Sequence, residues 1–188
     1  MVDEKALQKY EAHLTGSRIV VWDEKQARQL YKEGFYGKPI NVKKPKSAED
    51  VTSPLELSLT EALYLLEKGV LKVLREDGRE MPVEELKKLA EESYRLFNDL
   101  YLVYKDLRDR GYVVKPGMKF GADFAVYQYG PGIDHAPFIV HVVPSSAKLD
   151  PIEIVRAGRL SHTVKKKFVI ATISGDKVNY FVFSWRRM

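Results

Sequence analysis

Cysteine is absent from the sequence, which removes disulfides, thiolate nucleophiles and cysteine-ligated metals together. A cytoplasmic protein is the simplest reading of that absence. No apolar run comes near the ~20 residues that a bilayer-spanning helix needs. The opening, MVDEKALQKYEAHL, is charged and polar throughout and does not read as a signal peptide. Internal repeats and low-complexity segments are missing too. Lysine and arginine, in contrast, number 31 against 26 acidic residues, for a formal charge of +5 and a pI near 9.2. That balance permits a polyanionic partner; it fits a plain soluble basic domain equally well. At 188 residues the chain holds one large domain or two small ones, and either buries a substantial core.

The first half reads as a small α/β unit. RIVVW (18–22) is a short buried strand. Asp23 is placed to cap the helix EKQARQLYKEG, with Gly34 as its stop. The following stretch, GFYGKPINVKKPKSAEDVTSPLELS, is rich in Gly and Pro and predicts a long loop or irregular hairpin. Lys38, Lys43, Lys44 and Lys46 make it basic, which suits a solvated loop as readily as a functional one. SLTEALYLLEKG carries a capping box, Ser58 with Glu61, an apolar stripe of Leu59, Ala62, Leu63 and Leu66, and a closing Gly69. VLKVL is a strand and EDGRE a turn.

Pro82 opens a helical run, VEELKKLAEESYRLFNDLYLVYKDLRDRG, long enough to be two helices or one kinked helix. Tyr94, Phe97, Leu100, Tyr101, Tyr104 and Leu107 recur at helical spacing, as core residues do more often than a base-stacking platform. Arg108 and Arg110 suit the helix end that Gly111 terminates. Beyond it YVVKPG, FGADFAVY and FIVHVVP are strands, and Asp150 with Pro151 starts a helix to about residue 162. FVIATIS and KVNYFVFSW form a hairpin across a Gly-Asp turn. The fold class is therefore α/β (α+β): an N-terminal domain over 1–92 and a second domain over 93–188.

LYLVYKDLRDRGYVVKPGMKFGADFAVY resembles the opening of the catalytic domain of archaeal tRNA-splicing endonucleases. IDHAPFIVHVVP and GRLSHTVKKKFVIATI resemble that family's next two blocks, and SLTEALYLLEKGVLKV its N-terminal domain. The likeness covers most of the chain in order, leaving out the N-terminal tail and a Lys-rich stretch, 38–54, that looks like an insertion. It implies a restriction-endonuclease-like catalytic domain with a mixed sheet. By the same resemblance Tyr127 is the general base, His135 the general acid and Lys166 the group that stabilises the transition state. The family pattern is a histidine, two residues, a basic residue and then the catalytic lysine; here His162, Thr163, Val164 and Lys165 put it at Lys166. Strand alternation sends Lys165 and Lys167 to the opposite face. Each has a plainer reading: an amphipathic tyrosine, a loop histidine, a lysine in a solvated charge run. Tyrosine, with a reference pKa of about 10, needs a nearby cation to act as a base at neutral pH, and Lys166 is expected to supply it. His141 and His162 read as structural.

The reaction so implied is RNA scission by the substrate's own 2′-hydroxyl, leaving a 2′,3′-cyclic phosphate and a 5′-hydroxyl, with no cofactor and no metal. The implied substrate is precursor tRNA, recognised through a bulge–helix–bulge whose bases are held by stacking and cations. Arg159 matches a family arginine that packs on a bulged base; Trp185 and Arg186 are expected in the same clamp. Lys44, at the centre of the basic insertion, is the expected extra contact to RNA phosphate. The family assembles as a tetramer through C-terminal strands and an acidic loop. Here VNYFVFSW supplies the strand and Ser174-Gly175-Asp176 a less acidic loop. A homotetramer and a heterotetramer with a non-catalytic paralogue both remain open, the thin loop and the basic insertion favouring the latter. Two alternatives stand beside the enzyme: a non-catalytic RNA-binding subunit of that assembly, and a metal-dependent DNA nuclease using Asp123 and neighbouring carboxylates.

Overall fold

The computed structural model describes residues 10–43, 45–148, 150–152, 154–155, 158–159 and 166–183. The chain divides into two compact units, 1–95 and 96–188, each built on its own mixed five-stranded sheet.

In the first unit, β1 (Tyr10–Thr15), β2 (Arg18–Val21), β3 (Lys38–Pro39), β4 (Leu55–Leu57) and β5 (Leu71–Leu74) are ordered β3-β4-β2-β1-β5. The β1–β5 pair is parallel and the others antiparallel. β1 was not anticipated: what reads as a polar tail is an interior strand of the sheet. Its Tyr10 and Ala12 are buried, and Glu11, between them, pairs with Lys72 at 2.7 Å. Helix α1 (Glu24–Gly34) begins as expected, with Asp23 accepting from the Gln26 amide at 2.7 Å. Gly34 is its last residue, as expected, but the left-handed cap falls on the next one. Phe35 is the left-handed cap residue, at φ 56°, and its ring meets Tyr31 edge-on at 5.3 Å. Gly34 has a different job, since a Cβ there would stand 2.4 Å from the Tyr36 ring.

The Lys-rich stretch is an irregular hairpin anchored on α1. Val51 and Leu55 are fully buried, the Tyr31 hydroxyl donates to the Pro45 carbonyl and Arg28 to that of Val51. Helix α2 (Leu59–Glu67) carries the predicted capping box. Its Glu61 is buried because both oxygens are satisfied: the carboxylate accepts from the Ser58 amide and hydroxyl and from the Gly37 amide, each at 2.9 Å. Leaving these buried donors without an acceptor costs about 1–3 kcal/mol. The buried stripe runs through Ala62, Leu63, Tyr64 and Leu65, with Leu59 and Leu66 only partly covered. The long helical run resolves into two helices, α3 (Val83–Ser93) and α4 (Phe97–Asp109). Tyr94 sits between them and is 56% exposed, unlike the rest of the aromatic series.

In the second unit, α4 packs against a sheet ordered β10-β9-β8-β7-β6, made of β6 (Val113–Pro116), β7 (Phe124–Tyr127), β8 (Phe138–Val142), β9 (Lys167–Ser174) and β10 (Lys177–Phe183). Only β8–β9 is parallel; the other neighbours are antiparallel. Alternation divides the side chains between two faces. Phe124 meets Tyr104 of α4 at 6.0 Å, and Val126, Phe138, Val140 and Val169 line an apolar groove with Leu107 of the same helix. On the other face Ala122, Ile139, Val143, Phe168 and Ile170 form a cluster, with Phe120 and Phe183 packed against it. Edge strand β10 is tied to α4 where the Tyr180 hydroxyl donates to Asp106 at 2.6 Å; burial and that carboxylate push the phenol far above its ordinary range.

Candidate active site

Strand direction explains why three positions far apart in sequence fall at one end of the second sheet. β7 and β8 are antiparallel, so the end of β7 lies beside the start of β8. β8 and β9 are parallel, so their starts lie together. Tyr127 is the last residue of β7, His135 belongs to the connection into β8, and Lys166 immediately precedes β9. Alternation puts Tyr127 and Lys166 on the same face, in step with Ala125 and Phe168.

Specific contacts hold this end together. The Lys166 ammonium donates to the carbonyl of Ala136 at 2.7 Å, next to His135, and lies 5.2 Å from the centre of the Phe120 ring. The Lys167 amide donates to Pro137 at 2.9 Å. The β7–β8 loop is pinned by Asp134, whose two oxygens accept from the amides of Gln128 at 3.0 Å and Gly130 at 2.7 Å. Gly130 adopts φ 133°, a conformation other residues rarely reach. His135 is exposed, and Tyr127 and Lys166 are partly buried.

The electrostatics differ from expectation at Tyr127. Burial, and then the Asp134 carboxylate, push its phenol above the ordinary tyrosine range; Lys166 does not pull it down. The ammonium's contacts are instead with the Ala136 carbonyl and the Phe120 ring. Burial pulls Lys166 itself below the usual lysine range, repulsion from Lys119 adds to this, and Asp134 opposes it.

Asp134, which sequence reasoning passed over, thus pins the loop and bears on both titrating neighbours. An Asp directly before His135 in a Gly-Pro-Gly turn was the available signal. Asp134→Asn keeps the shape but removes the charge and one acceptor. Its expected effect is a cleavage rate lowered about tenfold and an alkaline limb moved to lower pH. The sign follows from Lys166: without a carboxylate favouring the ammonium, it loses its proton earlier. An unchanged limb in a kcat/KM pH profile would remove Asp134 from the electrostatics.

Asp123 is already occupied. Its Oδ2 lies 2.8 Å from His141 Nδ1 and accepts from the Val142 amide at 2.7 Å, which gives His141 a structural partner. Arg159 is exposed on the helical stretch after Asp150, where the Asp150 side chain accepts from the Ile152 amide as the capping pattern predicts. Lys44, His162, Lys165, Trp185 and Arg186 lie outside the described residues.

Two family models match the chain in the order of its two units: tRNA intron endonuclease, N-terminal domain, over residues 10–87, and tRNA intron endonuclease, catalytic C-terminal domain, over residues 97–180. The chain belongs to the tRNA intron endonuclease family. Among its relatives, the tRNA-splicing endonuclease of Hyperthermus butylicus is 49% identical over 179 residues, 94% of this chain and 98% of the relative. Those of Saccharolobus solfataricus and Saccharolobus islandicus are 41% and 40% identical over the same shares. The N-terminal match starts at the first residue of β1, so this strand belongs to the family's domain. Tyr127, His135 and Lys166 all fall within the catalytic-domain match.

Proposed function

We propose that this tRNA intron endonuclease family member excises introns from precursor tRNA, cutting at bulge–helix–bulge exon–intron junctions. What supports this reading is that the positions of Tyr127, His135 and Lys166 fall at one sheet end in a chain of this family. In the proposed step Tyr127 takes the proton of the 2′-hydroxyl, and the 2′-oxygen attacks the adjacent phosphorus. The bond to the 5′-oxygen breaks as His135 gives that oxygen a proton, while Lys166 offsets the charge growing on the phosphoryl oxygens. The products are a 2′,3′-cyclic phosphate and a 5′-hydroxyl. Burial and then Asp134 favour the neutral phenol of Tyr127 in the free protein.

In this reading Arg159 stacks on a bulged base, Trp185 and Arg186 complete that clamp, and Lys44 reaches the RNA backbone from the basic hairpin. Two scissile bonds on one RNA call for two such sites, which a tetramer of the family's kind, homomeric or shared with a non-catalytic paralogue, supplies. Cytoplasmic localisation suits such an enzyme. The test is single-turnover cleavage of an intron-containing precursor by the purified chain, alone and with any co-purifying partner, with and without EDTA. Ends carrying 2′,3′-cyclic phosphate, formed at an undiminished rate in EDTA, are expected. Cleavage abolished by EDTA and restored by magnesium would favour the metal-dependent nuclease.

A further inference from the structure

Phe120 carries two ammonium groups. It closes the one-turn 3₁₀ segment Met118–Phe120, which leads from β6 toward β7, and its ring packs against the cluster around Ile139 and Phe168. Lys119 Nζ lies 4.7 Å from the centre of that ring and Lys166 Nζ 5.2 Å from it. A lysine over a phenylalanine ring gains only modest attraction, and holding two of them at one ring brings like charges together. Among the described residues neither forms an ion pair with a carboxylate. Lys166 has the Ala136 carbonyl as its hydrogen-bond acceptor; Lys119 is exposed. Its neighbour Met118 is 85% exposed, so this edge of the site opens to solvent. The repulsion is already felt at Lys166, whose ammonium Lys119 disfavours. Two cations gathered on an apolar base, with no ion pair among the described residues and only the more distant Asp134 carboxylate acting on one of them, favour an anion there.

Resting on the reading that this sheet end cleaves RNA, we propose that Lys119 is a substrate-binding residue, which with Lys166 forms a two-ammonium receptor for the RNA backbone at the cleaved junction. Lys166 faces the scissile phosphate, and Lys119, on the exposed side of the Phe120 ring, holds the phosphodiester next to it. Binding RNA then turns a repulsive pair into one neutralised by phosphate, and each phosphate so neutralised releases counterions. The contact is to the backbone and carries no base preference.

The test uses the full-length chain and a precursor tRNA with a regular bulge–helix–bulge. Binding is measured across salt concentrations in a His135→Ala background, so that the RNA survives. Lys119→Gln is expected to weaken binding about tenfold, and to reduce the slope of log K against log salt by about 0.7–0.9, the share of one phosphate contact. Lys119→Arg should restore both, since a guanidinium serves the same phosphate. An unchanged salt slope in Lys119→Gln overturns the inference, whether affinity is kept or lost, since a loss without a slope change marks a structural role. Whether the unsubstituted chain cleaves the precursor is read separately and tests the functional reading; the Lys119 result, being a binding measurement, stands or falls without it.

Discussion

His135→Ala lowers the single-turnover rate of precursor cleavage by ~10² or more and leaves RNA affinity nearly unchanged. The 5′-oxygen leaves poorly as an alkoxide, so the proton it receives matters in the transition state and hardly at all in the ground state. The structure makes the substitution clean. His135 is exposed, and the loop that bears it is held by hydrogen bonds from the Gln128 and Gly130 amides to Asp134. Folding should survive, and a thermal melt alongside the assay verifies it. A substrate with a far better leaving group at the scissile 5′-position should recover most of the lost rate, which a merely structural histidine would not permit. Undiminished cleavage by His135→Ala would remove it from the mechanism.

Lys166→Ala is expected to slow the chemical step by a comparable factor, ~10²–10³, the range for removing one donor from a developing oxyanion. Lys165→Ala should act mainly on binding or stability. The two lie side by side in a run of three lysines, so the comparison tests the register as well as the role. Burial and Lys119 both disfavour the charge on Lys166, so its ammonium is lost at a lower pH than an ordinary lysine's. The sign is then fixed: activity that depends on the ammonium is complete below that pKa and falls as pH rises through it. Lys166→Arg, which stays charged, should retain a measurable part of the rate and move the alkaline fall upward. If Lys165→Ala proves the more damaging change, the lysine has been placed one residue out of register.

Much of this fold could be read from local pattern. The Ser58–Glu61 box, the Asp23 cap and the strand runs of the second unit state their structure within a few residues, because capping and alternation are local physics. β1 was missed because its alternation, Tyr10, Ala12, Leu14 against Glu11 and His13, is embedded in a highly charged opening. The Glu11–Lys72 pair that accounts for one of those charges lies some sixty residues away in sequence. After Gly34 the left-handed cap position is taken by Phe35 instead of a glycine, and its ring packs on Tyr31, which no local pattern announces. At the candidate site, the residues with family precedent were legible through resemblance. Their environment was not. That Lys166 serves the Ala136 carbonyl instead of the Tyr127 phenol, and that Lys119 shares its ring, are consequences of tertiary placement that no spacing in the chain encodes.

The single parallel pairing in the second sheet bears on when this protein acquires its chemistry. Two antiparallel neighbours can be joined by a tight turn, but β8 and β9 run the same way, and the chain must travel through residues 143–166 before β9 can dock. Closing such a connection costs chain entropy that the shorter antiparallel contacts do not. Tyr127 and His135 lie on the near side of that crossover and Lys166 on the far side. A chain still emerging from the ribosome, or one caught with β9 undocked, therefore holds an incomplete set. On the proposed assignment, cleavage of RNA becomes a property of the finished domain alone, and a refolding experiment should recover β-sheet signal before it recovers cutting.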